Sequence, residues 1–241
     1  ITGWNDLKAL LAGLHDKPKR CLIRGKLTGN QPGNKPGSLA RTNANFSDQP
    51  LHWFMVDVDG FEPGFADPVL SPELAIEEYI ETILPKFKGA SYYWQLSSSV
   101  GQAKNRGVLK VHLHFINKTP HTSAQMKAWA KTIGKQVDSA LFSRVQVHYT
   151  ADPIYEDGVT DPVPVRAGFH QGEQEFVDLI VSGEARETGA GEGGSDMKLT
   201  DPSEKDGIIG LFHRTYSAEQ VLLELLEGFE QPLESLYFTA G

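Results

Sequence analysis

Asp57 and Asp59 stand two residues apart in the run LHWFMVDVDG, residues 51–60. Side chains alternate across a strand, so both carboxylates fall on one face. Two hard oxygen donors at this spacing suit divalent cations and the bridging of two ions in phosphoryl chemistry. An isolated D-x-D also reads as a solvated strand end, but this pair follows the apolar stretch WFMV, and all nine ionised residues of 42–85 are acidic. His112 and His114 repeat the same spacing in VLKVHLHFI, with Lys110 two residues earlier. Imidazoles on one strand face serve as metal ligands, phosphate contacts or proton relays. Ser97, Ser98 and Ser99 offer hydroxyl and backbone donors to an anion, and Lys104, Arg106 and Lys110 add charge. Asp138 is the only acid between residues 86 and 144; it reads as a turn cap or as a third carboxylate for the cluster.

These side chains need strands and helices to bring them together. Leu7, Leu10, Leu11 and Leu14 recur at helical spacing, and CLIRGKL reads as a strand after them. The Gly/Pro/Asn-rich stretch TGNQPGNKPGSLARTNANFSDQP is a long loop. SPELAIEEYIETILPKF opens with Ser71 at a cap and Pro72 at the first helical position. SYYWQLS and VLKVHLHFI are strands joined by a basic connection, and Thr122 with Gln125 forms a capping box before Met126, Trp129, Ile133 and Val137. A last strand is expected around VQVHYT.

The expected class is α+β. From residue 51 to 150 the order β-α-β-β-α-β is the ferredoxin-like, RRM-like arrangement, with α/β additions before it. There the first and third strands are neighbours. Phe54, Val56, Val58, Val111, Leu113 and Phe115 then face the helices, leaving Met55, Asp57, Asp59, Lys110, His112 and His114 on an open face. Tyr92, Tyr93 and Trp94 are expected mainly in the core, with base stacking as the other use of such rings.

The 241 residues carry a net charge of -8, which taken alone argues against a nucleic-acid partner. The charge is blocked, however: +6 over 1–41, -9 over 42–85, +9 over 86–144 and -6 over 145–181, so the first 181 residues are neutral. The excess lies in 182–241, where 182–207 reads as an acidic Gly/Ser-rich linker and 208–241 as the start of a helical extension. Ser217 and Gln220 form a second capping box there. The single cysteine, Cys21, excludes an intrachain disulfide and a Cys-paired zinc ribbon. No apolar run approaches the roughly 18 to 20 residues of a membrane span, and a cytoplasmic protein is expected.

Taken together, these segments resemble the archaeo-eukaryotic primase superfamily, especially the phage and plasmid primase-polymerases fused to a helicase. The sequence 56–60, VDVDG, looks like the family's metal-binding D-x-D motif. SSSVGQAKNRGVLKVHLHF looks like its second motif, a serine-rich strand end leading to a strand with the active-site histidine, and VDSALFSRVQVHYTADP like its third. The resemblance implies that Asp57, Asp59 and Asp138 hold two Mg²⁺ or Mn²⁺ ions and that His112 contacts the incoming nucleotide's phosphates, with His114 as a competing assignment. It adds Ser97, Ser98, Ser99, Lys110, Gln146 and His148 as nucleotide contacts and Lys104 and Arg106 as nucleic-acid contacts. Two departures stand out: the family's S-x-H reads Lys110-x-His112, and Gln146 and His148 occur where many members have an arginine. Residues 1–181 would form the catalytic domain. The implied partners are a single-stranded DNA template, nucleoside triphosphates and a helicase region beyond residue 208, in a bacterial or archaeal host cell.

Two other readings use the same residues. His112 and His114 also form the H-x-H of a rolling-circle nickase, with Tyr149 as nucleophile. An RRM-like module that binds nucleic acid without catalysis is the third.

Overall fold

A computed structural model of the chain describes residues 1, 3–28 and 40–181, together with the backbone of 215–217 and 237–239. The expected linker over 182–207 lies outside the described residues, as does most of the expected C-terminal helix. Ser217, read as a helix cap, instead ends a short strand. Among the described residues no helix is long and apolar enough to cross a membrane.

The protein is α+β. Its main sheet has four antiparallel strands in the order β4 (Leu51–Phe61), β6 (Leu109–His121), β5 (Tyr92–Leu96), β9 (Ala167–His170). The expected first and third strands are therefore neighbours, as β4 and β6. Helix α2 (Pro72–Ile83) crosses from β4 to β5, and α3 (Ser123–Ile133) follows β6. Pro72 sits in the first turn of α2, where a missing N–H is harmless, although the Ser71 side chain makes no cap bond. Thr122 and Gln125 make the reciprocal capping box that starts α3.

Two apolar layers flank the sheet. Phe54, Val56, Val58, Val111, Leu113 and Phe115 pack with Ile76 and Tyr79 of α2 and with Met126 and Trp129 of α3. Tyr92 and Trp94 join this core, and Tyr93 joins the other, so all three rings pack rather than face solvent. On the opposite face α1 (Trp4–Ala12) buries Trp4, Leu7 and Leu11 against Trp53, Met55, Tyr93 and Ile116. Each such side chain contributes about 1.5–3 kcal/mol when fully buried, enough to hold a nine-residue helix that would not persist alone. Leu10 of the predicted stripe is exposed. The face expected to be open is thus covered in part, with Met55 and His114 buried.

The predicted last strand departs from expectation. It shrinks to β7 (Val147–His148), which pairs with β1 (Leu22–Ile23) and not with β4. CLIRGKL breaks at Arg24-Gly25 into β1 and β2 (Lys26–Leu27), the latter pairing with β3 (Phe46–Ser47). Gly25 explains the break: a Cβ there would lie 2.4 Å from the Arg144 carbonyl oxygen, so only glycine lets the two segments touch. Strand β9, which the sequence reading missed, takes the edge beside β5. Gly168 permits it, because its Cα lies against the Trp94 indole, where a Cβ would approach ring atoms to 2.7 Å. The strands β10 (Thr215–Ser217) and β11 (Tyr237–Thr239) pair with each other, and β11 pairs with β8 (Ile154–Tyr155).

Candidate active site

Register places the chemistry. Across β4 and β6, Asp57 lies opposite His112, Asp59 opposite Lys110, and Met55 opposite His114. Directly opposed side chains have Cβ atoms about 4.5–5.5 Å apart, so each pair is in reach. His112 Nε2 is 3.6 Å from Asp57 Oδ1, and Lys110 Nζ donates to Asp59 Oδ1. Past Asp59 the ladder shifts register at Gly60, whose φ of +112° is a conformation that side chains rarely adopt.

Burial rises steeply along this row. Asp59 meets water, Lys110, Asp57 and His112 are partly covered, and His114 is fully buried among Trp53, Tyr93 and His148. Burial pushes the Asp57 carboxyl above its usual range; His112 opposes that shift, and the negative charges of Asp59 and Asp138 reinforce it. Asp138 caps the 3-10 turn Ser139–Phe142, its Oδ1 accepting from the Ala140 N–H at 2.8 Å. The cap is thus the role its contacts show, and its charge acts on Asp57 only as the smallest of the influences on that carboxyl.

His114 Nδ1 accepts from the Trp53 indole N–H at 3.2 Å, and burial holds its pKa well below 6.5. His148, on β7, lies edge-on to the same Trp53 ring at a centroid distance of 5.5 Å and is also buried. Burial, followed by the charges of His112 and Arg24, takes its pKa down to about 3. Both were candidate nucleotide contacts, and both sit inside the protein around an indole, out of contact with solvent. Gln146, half-buried in the turn before β7, donates its N–H to the Ser143 carbonyl.

On the other side of His112 is β5, where Gln95 is its direct partner. A cleft of about 130 Å³ opens here, lined by Gln95, Ser97, Ser98, His112, Tyr149 and Asp152 among others. Ser97 Oγ and Ser99 Oγ are 3.2 Å apart in the turn that follows β5. The basic connection is tied to this turn by Asn105 Nδ2, which donates to the Ser99 carbonyl at 2.8 Å; Lys104 and Arg106 on either side of Asn105 are exposed.

Several residues of the site were not singled out from sequence. Arg166 is buried; it pairs with Asp161, donates to Tyr155 Oη at 2.6 Å and reaches the Ser97 carbonyl at 3.1 Å, fixing the serine turn. Its only signal was being the sole base in residues 145–181. Gln95 Nε2 donates to the Thr150 carbonyl at 2.7 Å and to Asp152 Oδ1 at 3.1 Å. Asp152 Oδ2 lies 3.5 Å from His15 Nδ1, whose Nε2 contacts Tyr93 Oη at 2.8 Å. A lone glutamine inside the aromatic run YYWQL was the available clue.

The arrangement has two chemically distinct ends. Asp57 and Asp59 make a carboxylate end on β4, and donors gather around His112 and the serine turn. Hard oxygen donors such as these suit Mg²⁺ or Mn²⁺, and the negative charge of Asp59 beside Asp57 is of the kind a cation would offset. Among the described residues no three His, Cys, Asp or Glu side chains converge into a ready metal cage, and Lys110 now occupies Asp59. Comparison with protein-family models, with curated proteins and with solved structures finds no match to this chain.

Proposed function

We propose that this chain is a nucleotidyltransferase of the primase-polymerase kind, extending or initiating a strand on single-stranded DNA from nucleoside triphosphates. The observation that carries this reading is the pairing of Asp57 with His112 across β4 and β6, with His112 also lining the cleft beside Ser97 and Ser98. A carboxylate end thereby adjoins an anion-accepting end, as transfer from a triphosphate requires. The β4-α2-β5-β6-α3 succession and the strand order β4-β6-β5 support an RRM-like core, although the place beside β4 is not taken by the expected last strand and β9 adds a strand at the opposite edge, beside β5.

In this reading Asp57, Asp59 and Asp138 hold two divalent ions, which when bound activate the attacking 3′-hydroxyl and stabilise the pyrophosphate leaving group. His112, Ser97 and Ser98 receive the triphosphate, and Lys110 passes from Asp59 to the anionic substrate. Lys104 and Arg106 extend positive charge toward the template. The remaining elements of the proposal, a helicase partner and service in phage or plasmid replication within a host cytoplasm, rest on the family resemblance alone.

Asp57→Asn tests the reading. Incorporation of labelled nucleotide on a DNA template with Mn²⁺ should fall by roughly 100-fold or more, equivalent to about 3 kcal/mol of transition-state stabilisation, while circular dichroism stays unchanged. Full activity in this variant refutes the metal assignment. The nickase reading draws on one observation, that Tyr149 and His112 line the same cleft. It is weakened by His114, whose Nδ1 is taken by Trp53. A covalent tyrosyl-DNA adduct without nucleotide addition would establish it. DNA binding indifferent to metal and to Asp57→Asn, without incorporation, would mark a non-catalytic module.

A further inference from the structure

Two apolar features lie outside the site, and both are uncommitted. The first is a knob. Phe65 is 99% exposed at the tip of the loop between β4 and α2, followed by exposed Leu70 and Leu74. This loop is pinned: the Glu78 carboxylate accepts from the N–H groups of Gly64 at 2.7 Å, Phe65 at 3.2 Å and Ala66 at 2.9 Å. Three such bonds hold the loop backbone in place with the phenyl ring out in water, a preorganisation that lowers the backbone entropy lost on docking.

The second feature is a groove of about 390 Å³ between the end of α2, helix α3 and residues 179–181. Phe87, Ala128, Trp129, Ile133 and Ile180 are among its walls, and Ile180 is 81% exposed. A cavity of about 150 Å³ accommodates a benzene ring, so the groove has room for an aromatic ring and a further aliphatic side chain.

Charge says what fits. The knob belongs to residues 42–85, which hold nine acids and no Lys or Arg; Glu62 and Asp67, which flank it in the loop, are exposed. Lys86 lines the groove and Lys131 is exposed on the same helix as Ala128, in the stretch 86–144 with ten bases and one acid. An acidic rim around an aromatic knob complements a basic rim around an apolar groove, and repels the phosphates of a nucleic acid. Because the knob's loop is clamped with Phe65 in solvent, the chain does not fill its own groove with it. We infer that the Phe65 knob of one copy docks in the α2–α3 groove of a second copy, making a salt-sensitive, head-to-tail contact. Knob and groove are different patches, so each copy offers both, and association proceeds past a dimer unless a ring closes.

Sedimentation velocity on the full chain tests this. The wild type should form species larger than a dimer as concentration rises at low salt, and revert toward monomer at high salt. Phe65→Ala removes the knob and Ala128→Glu places a carboxylate in the groove; each alone should weaken association roughly tenfold or more. Mixed together, they retain one intact knob and one intact groove and should form a heterodimer that grows no further. A wild type monomeric into the high-micromolar range overturns the inference, leaving the groove to another segment of the chain or another partner. So does association unmoved by both variants, or a mixture that fails to dimerise. Loss of single-stranded DNA affinity in Phe65→Ala without a change in association would reassign the knob to nucleic acid and equally overturn it.

Discussion

His114 and His148 make the fold acid-sensitive in a way that can be measured. Both are buried around Trp53, and burial holds both below the ordinary histidine pKa of 6.5, His148 at about 3. In the unfolded chain each titrates near 6.5. Below that pH the unfolded chain binds protons that the folded chain refuses, so stability is complete above 6.5 and declines as pH falls toward the folded-state values. Between pH 7 and pH 5 His148, held at about 3 in the folded chain, loses about 2 kcal/mol of stability, and His114 adds a loss of the same sign. The His148 loss alone is a sizeable part of the roughly 5–15 kcal/mol typical of a domain. Urea unfolding followed by tryptophan fluorescence at pH 7, 6 and 5 reads the loss directly, since Trp53 touches both rings. His148→Leu isolates one contribution. The substitution gives up only the weak contact of the ring with the Leu141 backbone and should leave stability at pH 7 little changed. The loss between pH 7 and pH 5 should shrink by about 2 kcal/mol. Asp57, whose raised pKa acts in the opposite sense, is common to both proteins and cancels in the comparison. Equal losses in the variant and the wild type would refute the argument.

Three further outcomes follow from particular contacts. Arg166→Met strands Asp161 and releases the Ser97 carbonyl; it should destabilise the fold by about 3–5 kcal/mol and raise KM for nucleotide more than it lowers kcat, with Arg166→Lys failing to restore the bidentate contact. Unchanged chemical denaturation would contradict this role. Gly168→Ala should cost about 1–3 kcal/mol by overpacking, because Trp94 is buried and has no room to yield; a neutral effect in thermal melts would show that β9 is not held against the indole. His112→Ala should weaken nucleotide binding with little change in stability, whereas His114→Ala should chiefly lower stability by emptying a buried site. The reverse pattern, read by nucleotide titration and urea melts, would mean that the strand register is inverted.

Much of this was legible in the sequence because it is local. Alternation in β4 and β6 follows from the two-residue period of a strand, and fixed which of their residues face the helices before any contact was known. The capping box at Thr122 and the first-turn proline at Pro72 act within one turn of helix, so three or four residues suffice to read them. The pairing of β4 with β6 followed from the order of elements, and it brought Asp57 and His112 into reach without further information.

What the sequence left open is what depends on distant segments meeting. His112 and His114 are identical in type and share a face, yet one is partly open and the other enclosed, because Trp53, Tyr93 and His148 close around the second. Nothing in VHLHF encodes that β7 will bring His148 to that place. VQVHYT has strand propensity, but its partner is chosen by packing, and β1 rather than β4 takes it. Arg166 reads as an isolated surface base until Asp161, Tyr155 and the Ser97 carbonyl close around it. The sequence by itself determined the inventory of carboxylates, imidazoles and hydroxyls and the period that aligns them, since those are properties of neighbouring residues. The tertiary structure alone decided which members reach water and which are locked inside, because burial and charge are set by whatever the rest of the chain brings alongside.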